Sequence, residues 1–162
     1  MSAELAAYVC LALGLSRALV AGVFQSFSDF VMRSLVAARS GTGIEAMQLI
    51  NRKVYKSVFL VMLIGLVPLM IGFAIVALAT LNGVGRDLIL TAAVIYLVAV
   101  FGVTMVGNVP MNNRLDRMLS STEEADSYWH IYGRVWTRLN HVRTIGSVAT
   151  AACLLLAAVA LD

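Results

Sequence analysis

Three stretches of this chain stay free of charge for longer than a soluble fold tolerates. Ser57 to Gly85, Leu88 to Asn113 and Thr144 to Leu161 contain no Asp, Glu, Lys or Arg. Each approaches or exceeds the roughly 20 residues that cross about 30 Å of hydrocarbon at about 1.5 Å per residue. A fourth stretch, from Leu5 to Ser28, is broken only by Arg17. Composition agrees: 60% of the residues are hydrophobic and 13% charged, against about 45 to 50% and about 25% in a soluble domain. Such a chain cannot cover its own core in water, which excludes a disordered protein, a nucleic-acid-binding domain and an ordinary cytosolic enzyme. Lipid admits only helices and closed barrels, and no ten-residue alternation of strand type is present. The sequence therefore predicts an all-α integral membrane four-helix bundle with cytoplasmic helical extensions. It reads as a single four-span domain over 1–162, with spans at about 5–28, 57–81, 88–109 and 143–161.

Basic residues orient the spans. Asp29 to Lys56 holds five Lys or Arg, the turn from Asn82 to Asp87 holds one, and Arg114 to Arg143 holds five. Positive-inside bias then puts both long loops in the cytoplasm and both termini outside, in a bacterial-type cytoplasmic membrane. Glu4 stands where a signal peptide would be basic, and Arg17 interrupts the apolar centre, so the first span is expected to be retained. In the first loop, Thr42-Gly-Ile-Glu45 fits a capping box, and Ile44, Met47, Ile50 and Val54 follow at helical spacing; a short amphipathic helix is expected there. Ser120-Ser-Thr-Glu123-Glu124 marks another helix start, and no proline follows it, so the last helix is expected to run to the end of the chain. Gly14, Ala18, Gly22, Gly65, Gly72 and Gly102 are small enough for close helix approach.

Metal and nucleophile chemistry find little support. His130 and His141 lack zinc-site spacing, Cys10 and Cys153 have no C-x-x-C partner, and no phosphate loop or nucleophile elbow is present. Asparagine is more informative, since Asn51, Asn108, Asn112, Asn113 and Asn140 all fall toward the cytoplasmic side. Helical spacing aligns Gly22, Ser26, Asp29 and Arg33 on one face of the first helix, and Trp136, Asn140, Arg143 and Ser147 on one face of the last. Two readings stay open for these stripes: a bundle end tied by an Asp29 to Arg143 ion pair, or a pocket for a ligand entering from lipid. Arg17 falls near the bilayer centre, where a charge is either functional or snorkelling. Tyr128, Trp129, Tyr132 and Trp136 suit an interfacial aromatic belt or the stacking walls of a planar ligand site.

Gly22-Val-Phe-Gln-Ser-Phe-Ser-Asp-Phe-Val-Met32, Asn108-Val-Pro-Met-Asn-Asn113 and Trp136-Thr-Arg-Leu-Asn-His-Val-Arg143 resemble, in order and spacing, the anthrone-oxygenase-like membrane family. Asn108, Asn112, Asn140 and Arg143 match its motif positions most clearly. The resemblance implies a four-span protein and, as in the family's fungal members, oxidation of an anthrone to an anthraquinone by O2 with no cofactor. Such chemistry needs a base and donors aimed at a developing enolate oxygen. The residues expected to supply it are Asp29, His141 and Arg143 as the catalytic set, with Asp29 ranked above His141 as base. Ser26, Asn108, Asn112, Trp136 and Asn140 are expected to bind substrate. The expected partners are the bilayer and a lipophilic aromatic small molecule, with a homo-oligomer also open and no nucleic acid. The alternative is a non-catalytic bundle that binds a lipophile or packs against another membrane protein. An enzyme requires the polar stripes to converge on a cavity; a packing subunit requires them to be consumed by mutual pairing.

Overall fold

Ser2 opens the first helix by accepting the Leu5 amide on its hydroxyl at 3.3 Å, which satisfies one of the donors that a helix start leaves free. The computed structural model describes residues 1–161, and all its regular structure is helical. Helix α1 spans Ala3–Ala37, α2 Ser40–Val54, α3 Val58–Thr80, α4 Gly83–Asp116 and α5 Glu123–Leu161. Four of these, all but α2, are long and apolar enough to cross a membrane. Their outward faces carry Val61, Ile75, Val98, Val106, Ile145 and Val159, a continuous apolar surface that water would penalise and lipid accepts. The protein is an integral membrane protein with an all-α bundle fold.

Helix α5 is the central post. Gly14 of α1 lies against Leu154 and Leu155, and Ser28 lies against Thr144, so α1 and α5 run antiparallel. On the other side Gly85, Gly146 and Gly107 face Leu161, Ala99 and Leu139, which sets α4 antiparallel to α5 as well. A Cβ at Gly146 would sit 2.9 Å from that of Ala99, so the close α4–α5 approach depends on glycine there. Gly22, Gly65 and Gly72, expected to mediate close approach, face open space instead. Size alone does not decide which small residues lie on the packed face.

The bundle has two apolar clusters. One fills the spans and includes Leu66, Met70, Ile89, Tyr96 and Leu154; the other lies at the α2 end, around Met32, Ile44, Met47, Leu115, Trp129 and Tyr132. Helix α2 buries Ile44 and Met47 as its spacing predicts, but the capping box does not form. The helix begins at Ser40, and Glu45 accepts a hydrogen bond from Ser120 at 2.7 Å. Gln48 holds α2 in place by donating to the carbonyls of Leu115 and Met118 at 2.8 and 2.9 Å, which satisfies acceptors where α4 ends. The Thr122 hydroxyl accepts the Ala125 amide at 3.3 Å, and α5 then runs 39 residues without a break. The aromatic run on α5 is no exposed belt: Tyr128, Trp129, Tyr132 and Trp136 are all buried.

Candidate active site

Beside the second cluster lies a cavity of about 130 Å³. The Phe24, Phe27, Phe59 and Trp136 side chains supply much of its wall, and all five helices contribute to its lining. Two runs of π turns border it, Phe27–Val31 on α1 and Thr104–Asn108 on α4, and a further run, Tyr96–Gly102, precedes the second on α4. Such wide turns are frequent at functional sites because they re-aim side chains that a regular helix would point elsewhere. Both Thr104 and Asn108 line the cavity from the second α4 run.

Asn140, fully buried, organises one side. Its Nδ2 donates to the Phe24 carbonyl and to Ser28 Oγ, both at 2.7 Å, and Ser28 Oγ lies 3.2 Å from Thr144 Oγ1. The Phe24 carbonyl is reached just where α1 passes into its π turns. Asn140 Oδ1 in turn accepts Arg143 Nη2 at 2.6 Å. The guanidinium carbon lies 4.4 Å from the centre of the Phe24 ring and 5.2 Å from that of Trp136, close enough for both ring faces to attract the cation. A second asparagine, Asn112, accepts both the Tyr132 hydroxyl and Trp136 Nε1 on its Oδ1, at 2.7 and 2.8 Å, which fixes the Trp136 ring. Asn108 donates to the Trp136 carbonyl at 3.2 Å.

Three polar atoms among the residues lining this cavity are buried without a partner: Arg143 Nε, Asn108 Oδ1 and Asn51 Nδ2. Buried polar groups are normally paired, since an unpaired one costs about 1 to 3 kcal/mol. Two donors and one acceptor thus stand unpaired on residues that line one aromatic-walled cavity.

The structure brings together five of the residues expected from sequence, Asn108, Asn112, Trp136, Asn140 and Arg143. It does not bring in the other three. Asp29 is exposed, pairs with no cation among the described residues and lies off the cavity. Ser26 turns its hydroxyl back to the Gly22 carbonyl at 2.9 Å, and His141 is exposed on α5. The inward face of α1 runs through Arg17, Val20, Ala21, Phe24, Ser28 and Met32. Asp29 lies off that face, as it would on a regular helix as well, so the expected Asp29 to Arg143 ion pair does not form. Among the described residues no Asp, Glu, His, Lys or Cys lines the cavity, and they contain no cluster of three potential metal ligands. Sequence reasoning places Asn51 only among five asparagines on one side of the membrane; its i+4 relation to the buried Met47 is the signal that points it inward.

The sequence model of the anthrone oxygenase family matches residues 52–153. That covers more than half of the chain, including Asn108, Asn112, Trp136, Asn140 and Arg143. The chain belongs to the anthrone oxygenase family. No curated protein and no solved structure matches it. Within the family match fall α3, α4 and α5 up to Cys153; Asn51 and all of α1 lie before it.

Proposed function

We propose that this anthrone-oxygenase-like protein binds a lipophilic aromatic compound in the cavity and oxidises it with O2, without a cofactor, at the cytoplasmic membrane face. The observation that carries this reading is that three residues lining one aromatic-walled cavity, Arg143, Asn108 and Asn51, each hold a buried polar atom without a partner. Trp136 and Phe24 supply stacking surfaces, Asn140 and Asn112 hold Arg143 and Trp136 in place, and Arg143 takes the substrate oxygen. An engineered apolar cavity of about 150 Å³ accommodates benzene, so a cavity of about 130 Å³ suits one ring. Further fused rings would extend toward Val23 and Tyr55 at its exposed edge.

In the balanced reaction, one ring-flanked methylene and one O2 give one ketone and one water. The methylene, para-related or conjugated to a carbonyl, loses a proton to give an enolate whose oxygen faces Arg143. The enolate passes one electron to O2, and the substrate radical and superoxide combine into a carbon-bound peroxide. Protonation of the peroxide, loss of the second methylene hydrogen as a proton and departure of water break the O–O bond and leave the ketone. Because no carboxylate or imidazole among the described residues lines the cavity, the first proton leaves to water at the mouth, and the protein contributes by holding the enolate in a preorganised positive site. Neither Asp29 nor His141 has a part in this mechanism.

The test is oxygen uptake and quinone formation from an anthrone supplied to proteoliposomes. Arg143→Lys keeps a positive charge but loses the planar fork; we expect it to insert and fold while losing most turnover. Unchanged turnover refutes the role of Arg143. The lack of a cavity base favours one second reading, a lipophile-binding bundle without catalysis, and saturable anthrone binding with no oxygen uptake would establish that instead.

A further inference from the structure

Arg17 is fully buried, yet its three guanidinium nitrogens have no hydrogen-bond partner. Its guanidinium carbon lies 3.6 Å from the centre of the Tyr96 ring, and Tyr96 is itself fully buried. The Tyr96 hydroxyl donates to the Leu63 carbonyl, and Leu63 is a wall residue of the cavity. Arg17 is therefore one ring and one wall residue behind the site. Among the described residues no Asp or Glu is buried, and their two ion pairs, Arg52 to Asp116 and Arg86 to Asp87, are both at the surface. Two desolvated guanidiniums, Arg143 in the cavity and Arg17 beyond it, thus stand in the interior without a compensating acid among the described residues.

Keeping such a charge is costly in a bilayer, which makes an intramembrane ionisable residue a functional-site hypothesis by default. We propose that the cavity takes its ligand as an anion, a phenolate or enolate, and that Arg17 is a specificity-determining residue which favours that anion through its field without touching it. This rests on reading the cavity as the site of a lipophilic aromatic ligand. From the α1–α5 pairing, the levels of Arg17 and Arg143 differ by about eight or nine residues, and with their side chains pointing apart the two charges stand on the order of 15 Å apart. At that distance and an effective dielectric near 20, a unit charge changes anion affinity by about sixfold.

Binding can be separated from oxidation with ligands that have no oxidisable C–H bond between rings. Pentachlorophenol is ionised at neutral pH, and pentachloroanisole has the same ring without the charge. Both are titrated into the full-length protein in nanodiscs, with protein-free nanodiscs correcting for partition. We expect the wild type to prefer the phenolate by more than about tenfold, as a charged hydrogen bond supplies. Arg17→Met should lower that preference by about sixfold while leaving anisole affinity unchanged, and Arg17→Lys should retain it. Equal binding of the two ligands by wild type overturns the inference while leaving the oxidation reading open; no binding of either overturns both. An unchanged preference in Arg17→Met, an equal loss of both ligands, or failure of that variant to fold assigns Arg17 to structure and overturns its role in specificity.

Discussion

Asn140→Ala removes the residue on which the geometry of the site depends. Three hydrogen bonds end on its side chain: two donated, to the Phe24 carbonyl and Ser28 Oγ at 2.7 Å, and one accepted from Arg143 at 2.6 Å. Neutral side-chain hydrogen bonds between membrane helices average about 0.6 kcal/mol each, and one to a charged group contributes about 1.5 to 3 kcal/mol. Together these amount to about 3 to 4 kcal/mol, more than a hundredfold in the folded-to-unfolded ratio. Reversible unfolding in mixed micelles, followed by tryptophan fluorescence, measures this directly. Asn140→Asp separates the contributions, since its carboxylate still accepts from Arg143 while the two donated bonds are lost. It should be less destabilised than Asn140→Ala, yet bind pentachlorophenol poorly, because its own negative charge then occupies the position beside Arg143. A loss below about 1 kcal/mol in Asn140→Ala would falsify the view that this cluster ties α1 to α5.

Other perturbations test other parts of the molecule. Cysteines introduced at positions 39 and 117 should resist a membrane-impermeant reagent in intact cells while one at position 86 reacts; labelling at 117 but not 86 reverses the proposed topology. Asp29→Asn and His141→Gln should leave turnover on an anthrone within about twofold, because both side chains lie off the cavity, and a loss of about tenfold in either would restore a role for it. Gln48→Ala leaves the Met118 carbonyl without its donor, while the Leu115 carbonyl keeps the Met118 amide; we expect a cost of about 1 to 3 kcal/mol and faster proteolysis of α2, and unchanged proteolysis would show that α2 is held by its other contacts.

The fold is readable because membrane constraints act on long stretches: absence of charge fixes where lipid-spanning helices can lie, whatever their neighbours do. On α5, where the helix is regular for its whole length, polar spacing also finds the site, and Trp136, Asn140 and Arg143 share a face as expected. The same reasoning fails on α1, where the most polar stripe is not the inward one. Arg17 holds the contrary signal, since it lies opposite Ser26 on a regular helix and a mid-membrane charge turns away from lipid. The π turns after Ser26 have no mark in the sequence. Even so, Arg17, Ala21, Phe24 and Ser28 follow i, i+4, i+7 and i+11, so regular spacing started from Arg17 gives the inward face and leaves Asp29 off it; the stripe through Ser26 and Asp29 is the other face. Asn51 escapes for a different reason: its contribution depends on how α2 docks, which is set by Gln48 and by a close contact at Gly43. A Cβ there would come within 2.4 Å of the Leu35 carbonyl.

That docking joins the aqueous end of the molecule to the chemistry. The cavity takes Met47, Ile50 and Asn51 from α2, whereas Arg143 and its supports come from α1 and α5. Displacing α2 would thus open one wall and remove the Asn51 amide without disturbing the Asn140 cluster. Helix α2 is short and is held near its middle by the Gln48 bonds, along one face by Ile44 and Met47, and at the surface by Glu45 to Ser120 and Arg52 to Asp116. Short segments outside the spans open at lower cost than the spans themselves, so we expect α2 to be the wall that moves to admit a ligand larger than one ring. A bound aromatic that satisfies Asn51 Nδ2 and Arg143 Nε together would then link α2 to α5, and its affinity should be read in slower hydrogen exchange over Ser40–Val54 while the spans are unchanged. Equal protection of α2 with and without ligand would place the entry route elsewhere.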